Sequence, residues 1–88
     1  MPEIELSDSF KSLFDGLPEQ IQKKVRKAIR LLANDPRHGS LQSKPIQGAP
    51  GIFEARVDRR YRLTYSRLPG DKLLLRVVGS HDETIKNP

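Results

Sequence analysis

Residues 51–80 read GIFEARVDRRYRLTYSRLPGDKLLLRVVGS, and the fold is decided there. Phe53, Ala55 and Val57 alternate with Ile52, Glu54 and Arg56, the period-two pattern of a half-buried strand. After a turn at residues 58–60, Tyr61, Leu63 and Tyr65 alternate with Arg62, Thr64 and Ser66 in the same way. Pro69-Gly70 lies at the centre of a second turn, and residues 72–78 form a third, more apolar run that reads as a central or well-covered strand. Three strands joined by two tight turns make an antiparallel meander.

Upstream of the meander the period changes. Ile4 and Leu6 alternate with Glu3 and Glu5, so residues 1–6 read as a short strand. Ser7 is placed to cap a helix over residues 8–15, with Asp8 in the first turn where the helix dipole favours a negative charge. Pro18 fits the first position of a second helix, whose apolar stripe is Ile21, Val25, Ala28, Ile29 and Leu32. That helix must stop near Asn34, because Pro36 cannot continue it and holds Asp35 extended. Residues 36–51 carry three Pro and three Gly with little periodicity, the composition of a long surface connection. The expected class is α+β: a short N-terminal strand, a helical hairpin, then a three-stranded antiparallel meander, with the helices packed on one face of the sheet. Residues 1–88 are expected to form a single domain.

Composition narrows the function classes. Without cysteine there are no disulfides, thiolate metal sites or Cys nucleophiles. His38 and His81 are the only histidines, and the scattered carboxylates have no ligand spacing, so neither a metal nor a cofactor is expected. Pro50 interrupts the single Gly-rich stretch and removes a donor that a phosphate cradle would need. No apolar run approaches the roughly 18 residues of a membrane span, and the acidic N-terminus does not resemble a secretory leader. The expected location is therefore the cytoplasm, with no membrane partner. Sixteen Lys and Arg against eleven Asp and Glu leave a net charge of +5. That excess either draws a polyanion such as nucleic acid or simply keeps a small domain in solution.

Alternation assigns the strand faces. With Phe53, Ala55, Val57, Tyr61, Leu63 and Tyr65 turned to the helices, Glu54, Arg56, Arg62, Thr64 and Ser66 point outward. On the last strand Leu73, Leu75 and Val77 would join the core, leaving Leu74, Arg76 and Val78 outside. Arg56, Arg62 and Arg76 would then converge on the open face, where guanidinium groups grip phosphate with paired donors or merely meet water. His81, after Gly79-Ser80 at the strand end, is either a surface residue or a proton-transfer group beside those arginines.

Three segments in order carry a family likeness: Gly51-Ile-Phe-Glu-Ala-Arg-Val57, Tyr61-Arg-Leu-Thr-Tyr65 and Val77-Val-Gly-Ser-His-Asp-Glu83. Together they resemble the C-terminal half of RelE/ParE superfamily toxins, and the upstream order of strand and helical hairpin agrees. The resemblance implies a type II toxin whose RelE-like branch is an mRNA interferase, an endoribonuclease cutting mRNA in the ribosomal A site beside 16S rRNA. It implies a cognate antitoxin as partner. It also implies roles: Arg62 steadies charge on the scissile phosphate, Arg56 helps hold it, and His81 serves as acid or base. Glu54, or Asp82, is the candidate base. Lys44, Arg60 and Arg76 are taken as further RNA contacts. The chemistry needs no metal, because RNA supplies its own nucleophile, the 2′-hydroxyl, and the protein need only move protons and stabilise the phosphorane. Family members often end in an aromatic past the basic position, whereas residues 82–88 here contain none. Two alternatives share the fold: a ParE-like inhibitor of DNA gyrase, and a non-catalytic relative that binds RNA or protein.

Overall fold

The computed structural model describes residues 2–88; Met1, part of the expected first strand, lies outside the described residues. The chain runs β1 (Glu3–Leu6), α1 (Asp8–Asp15), α2 (Glu19–Asn34), β2 (Lys44–Pro45), β3 (Ile52–Arg56), β4 (Tyr61–Leu68), β5 (Lys72–Ser80) and α3 (His81–Lys86). The strands make one mixed sheet in the order β1-β5-β4-β3-β2. The expected meander is its centre, antiparallel throughout, and β1 is added parallel to β5 with Ile4 beside Leu73. Lys72 lies 3.6 Å from Glu3 and 3.4 Å from Glu5 across that parallel edge.

Helices α1 and α2 cover one face. Phe10, Val25, Ala28 and Leu32 meet Ala55, Leu63, Tyr65, Leu73, Leu75 and Val78 in a single core. Burying such side chains contributes about 1.5–3 kcal/mol each, the main term opposing chain entropy. Ser7 caps α1 as its sequence position suggests, its Oγ accepting from Phe10 N at 2.9 Å. Pro18 precedes α2 rather than opening it: its ψ of 147° is extended, and its carbonyl accepts from Ile21 and Gln22 N–H.

The structure departs from the sequence reading at three further places. The connection after α2 is built, not loose: a 3₁₀ turn over Gly39–Leu41 sends Leu41 into the core, and β2 forms the far edge of the sheet. The chain also ends in a helix, α3, capped by Ser80 Oγ accepting from Glu83 N at 3.3 Å.

The third departure is a β-bulge in β5. Thr64 pairs with Val77 and Tyr65 with Leu75, so Arg76 is the extra residue. Beyond it the alternation inverts. Val78, expected outside, is buried at 2% exposure beside Leu63, its register partner, while Val77 pairs with Thr64 on the outer face. The groups that the bulge frees from the ladder are satisfied by hydroxyls. Ser7 Oγ donates to Arg76 O at 2.6 Å, and Val77 N donates to Thr64 Oγ1 at 3.2 Å.

Candidate active site

The outer face, opposite α1 and α2, is partly roofed by α3. Ser80 ends β5 and caps the helix, so the chain turns at His81, whose N–H donates to Arg60 O at 2.9 Å. This turn brings His81 over the sheet toward the outward-pointing side chain of Glu54 on β3. His81, Glu54, Lys44, Ile46, Gln47 and Ile85 line one cleft of about 550 Å³. Two side chains of the sheet hold the chain just past the roof from below: Thr64 Oγ1 on β4 and Arg76 Nε on β5 both donate to Pro88 O, at 3.2 and 2.9 Å. Thr84 is buried beneath α3, with its Oγ1 donating to His81 O.

Within the cleft the Glu54 side chain is 6% exposed, and its carboxylate meets Lys44 Nζ at 3.6 Å. Lys44 comes from the edge strand β2, where it is the register partner of Glu54. His81 presents a buried Nδ1 with no hydrogen-bond partner among the described residues. Native structures rarely leave such a nitrogen unpaired, and a site that binds substrate is one place where they do. An acid–base pair of opposite chemical type, with one cation beside it, therefore occupies a single concavity.

The arginines lie elsewhere than the alternation suggested. None of Arg56, Arg62 and Arg76 lines this cleft. Arg56 and Arg62 are register partners at the ends of β3 and β4. The Arg62 guanidinium is turned back onto its own hairpin, Nη1 donating to Asp58 O at 2.5 Å and Tyr61 O at 2.9 Å. Gly79 is the register partner of Arg62, so Arg62 and His81 share one end of the sheet. Arg56 lines a notch of about 220 Å³ against α2, with Lys24 and Lys27. Arg76 sits at the bulge on the outer face, as expected, but its Nε is engaged by Pro88 O beside Thr64 and it does not line the cleft. Arg60 is exposed in the β3–β4 turn. Asp82, in the first turn of α3, is exposed and does not line the cleft. Ile46, Gln47 and Ile85 were not anticipated as lining residues. Ile85 is the only large apolar side chain in residues 82–88, and Ile46 shares residues 36–51 with Leu41 alone, a signal the sequence did carry.

The β3–β4 turn is itself held by Asp58. Its Oδ1 accepts from Arg60 N and Tyr61 N, both at 2.9 Å, and its Oδ2 pairs with Lys24 Nζ at 3.2 Å. Burial opposes the charge, but those donors outweigh it and hold the Asp58 carboxyl below its ordinary value.

A family described as the ParE toxin of type II toxin–antitoxin systems, parDE, matches residues 4–85. The chain belongs to that family. Solved structures agree on the fold. The ParE-family chain is similar to YafQ from E. coli strain BL21(DE3), with a TM-score of 0.77 and 21% identity over 96% of this chain and 98% of that one. It is similar to a YoeB/ParE toxin from Agrobacterium tumefaciens, with a TM-score of 0.76 and 18% identity over 90% and 98%. The archaeal RelE–RelB complex from Pyrococcus horikoshii OT3 gives a TM-score of 0.73 and 14% identity over 90% and 93%. Among curated proteins, none matches the sequence significantly. Among the described residues of this ParE-family toxin, no helix is long and apolar enough to cross a membrane.

Proposed function

We propose that this ParE-family toxin is a metal-independent endoribonuclease acting on mRNA at the ribosome, with residues 1–88 working as one toxin domain. The observation that carries the reading is the meeting of Glu54 and His81 in one cleft. Glu54 takes the proton of a 2′-hydroxyl, whose oxygen attacks the adjacent phosphorus. The P–O5′ bond breaks as His81 gives a proton to the leaving oxygen, leaving a 2′,3′-cyclic phosphate and a 5′-hydroxyl. Lys44 stands beside Glu54 as the cation nearest the developing charge, and Arg62 and Arg56 hold phosphates at the sheet end where His81 emerges. Arg60 extends that basic rim. The partners in this reading are mRNA, the 16S rRNA of the A site and a cognate antitoxin, all met in the cytoplasm. An antitoxin is supported by the family's type II character and by the RelB-bound state of the Pyrococcus relative.

Induced expression followed by mapping of mRNA 5′ ends tests the proposal. Cleavage is expected only on translated messages. His81→Ala and Glu54→Gln are each expected to lower it about 10²–10⁴-fold, the range for a lost proton-transfer group. The family's ParE description favours a second reading, inhibition of DNA gyrase. Intact messages with altered plasmid supercoiling, retained in both variants, would establish that reading instead.

A further inference from the structure

A second cavity lies on the other side of the edge strand. It measures about 380 Å³ and is lined by Arg37, His38, Lys44, Phe53, Tyr65 and Arg67, among others, with no acidic residue in its wall. Phe53 and Tyr65 stack with ring centroids 5.5 Å apart and planes at 19°. Tyr65 is fixed from behind, its hydroxyl hydrogen-bonded to Ser43 Oγ at 3.1 Å. The Arg67 guanidinium carbon lies over the Phe53 ring, 4.6 Å from its centre. Since Arg67 is exposed, the aromatic pair carries a flat cation open to solvent. Arg37 and His38 are exposed at the rim. Lys44 lines both this cavity and the Glu54–His81 cleft, so its ammonium marks where a polyanion would cross from one to the other.

We propose that this cavity is a nucleotide subsite: an RNA strand passing over β2 at Lys44 places a base on the Arg67 plane and a phosphate between Arg37 and Lys44. The inference rests on the RNA reading above and extends it. An exposed guanidinium plane backed by aromatic rings suits an unstacked base, and phosphate rather than carboxylate is the polyanion continuous with a cleft built for phosphodiester chemistry. A flexible acidic peptide would find the charges but have no use for the plane.

The test uses the full-length chain and oligoadenylates with 2′-O-methyl riboses, two to six nucleotides long, which bind without offering a nucleophile. Fluorescence anisotropy is expected to show a step in affinity of roughly tenfold once the strand is long enough to pass Lys44. Arg67→Ala and Arg37→Ala, both on exposed side chains, are expected to remove the step and leave dinucleotide binding unchanged. Arg67→Lys keeps the charge and therefore the salt dependence, but loses most of the step. No step with length, or equal weakening of short and long strands, overturns the subsite. Variants that spare RNA yet weaken capture of a polyglutamate peptide also overturn it, in favour of an acidic protein partner. Message cleavage by the wild type, measured alongside, separates the two readings. Cleavage without a length step retires the subsite alone, and a length step without cleavage retires the nuclease alone.

Discussion

Thr64 shows how much a single side chain decides. It is fully buried, and its hydroxyl both accepts from Val77 N and donates to Pro88 O. The first bond closes the bulge that turns Val78 into the core; the second pins the chain end that carries α3 across the outer face. Thr64→Val keeps the shape and removes both bonds, leaving the Val77 N–H unpaired while Pro88 O keeps only its bond from Arg76 Nε. The expected cost is about 1–3 kcal/mol, which in a domain of this size lowers Tm by several degrees or more. Thr64→Ser, which restores the hydroxyl, should recover most of it. A Thr64→Val protein as stable as the wild type would show that the hydroxyl does not close the bulge. Ser7 performs the matching task from the other side, donating to Arg76 O while capping α1. Ser7→Ala is expected to cost about 0.5–2 kcal/mol from the cap alone.

At the scale of elements, the β3–β4 turn links stability to the site, because Asp58 ties it to α2 through Lys24 and its carbonyl receives Arg62. A carboxyl held below its ordinary value stabilises the fold above about pH 4, the unfolded value, and that contribution disappears as the pH falls through the lower folded value. Asp58→Asn should therefore unfold more easily than the wild type in urea at pH 7, and the gap should close toward pH 2. A gap that widens in acid would reverse the assignment. The elements themselves were legible to differing degrees, for physical reasons. The α1 and α2 stripes and the β3 and β4 alternation were plain because each element has one wet face. In β5, Leu73, Leu74, Leu75, Val77 and Val78 are apolar on both sides, so nothing in the pattern gives the phase, and the bulge at Arg76 went unseen. The expected meeting of three arginines failed separately, because Arg56 lies against α2 and the Arg62 guanidinium turns back onto its own hairpin. Glu54 and His81 were legible as residue types, but their meeting was not, since it depends on α3 turning back over the sheet. Ser80 followed by Glu83 three positions later is a capping-box spacing that announces this helix. β2 is two residues long and has no periodicity to read.

Across the whole molecule the helices α1 and α2 share one core with the sheet, whereas α3 buries only Thr84 and leaves Ile85 44% exposed. Elements with few buried apolar contacts open at lower free energy than the core they rest on. Native-state amide exchange is therefore expected to show residues 83–87 exchanging through local opening, while amides of β4 and β5 exchange only with global unfolding. Leu63→Ala, in the core, should cost about 2–5 kcal/mol and accelerate the β4 and β5 amides by the full amount. It should leave the α3 amides nearly unchanged, because their opening does not pass through the core. His81 stands at the boundary between the two regimes: its N–H is anchored to Arg60 O on the sheet side, and its carbonyl receives Thr84 from the helix side. A histidine whose backbone is held by a rigid hairpin at one end and a loosely docked helix at the other can keep its place in the Glu54 cleft while the roof opens to admit a strand. Equal protection of α3 and β5 would mean that the roof opens only when the whole domain unfolds, and access to Glu54 would then have to come along β2 past Lys44.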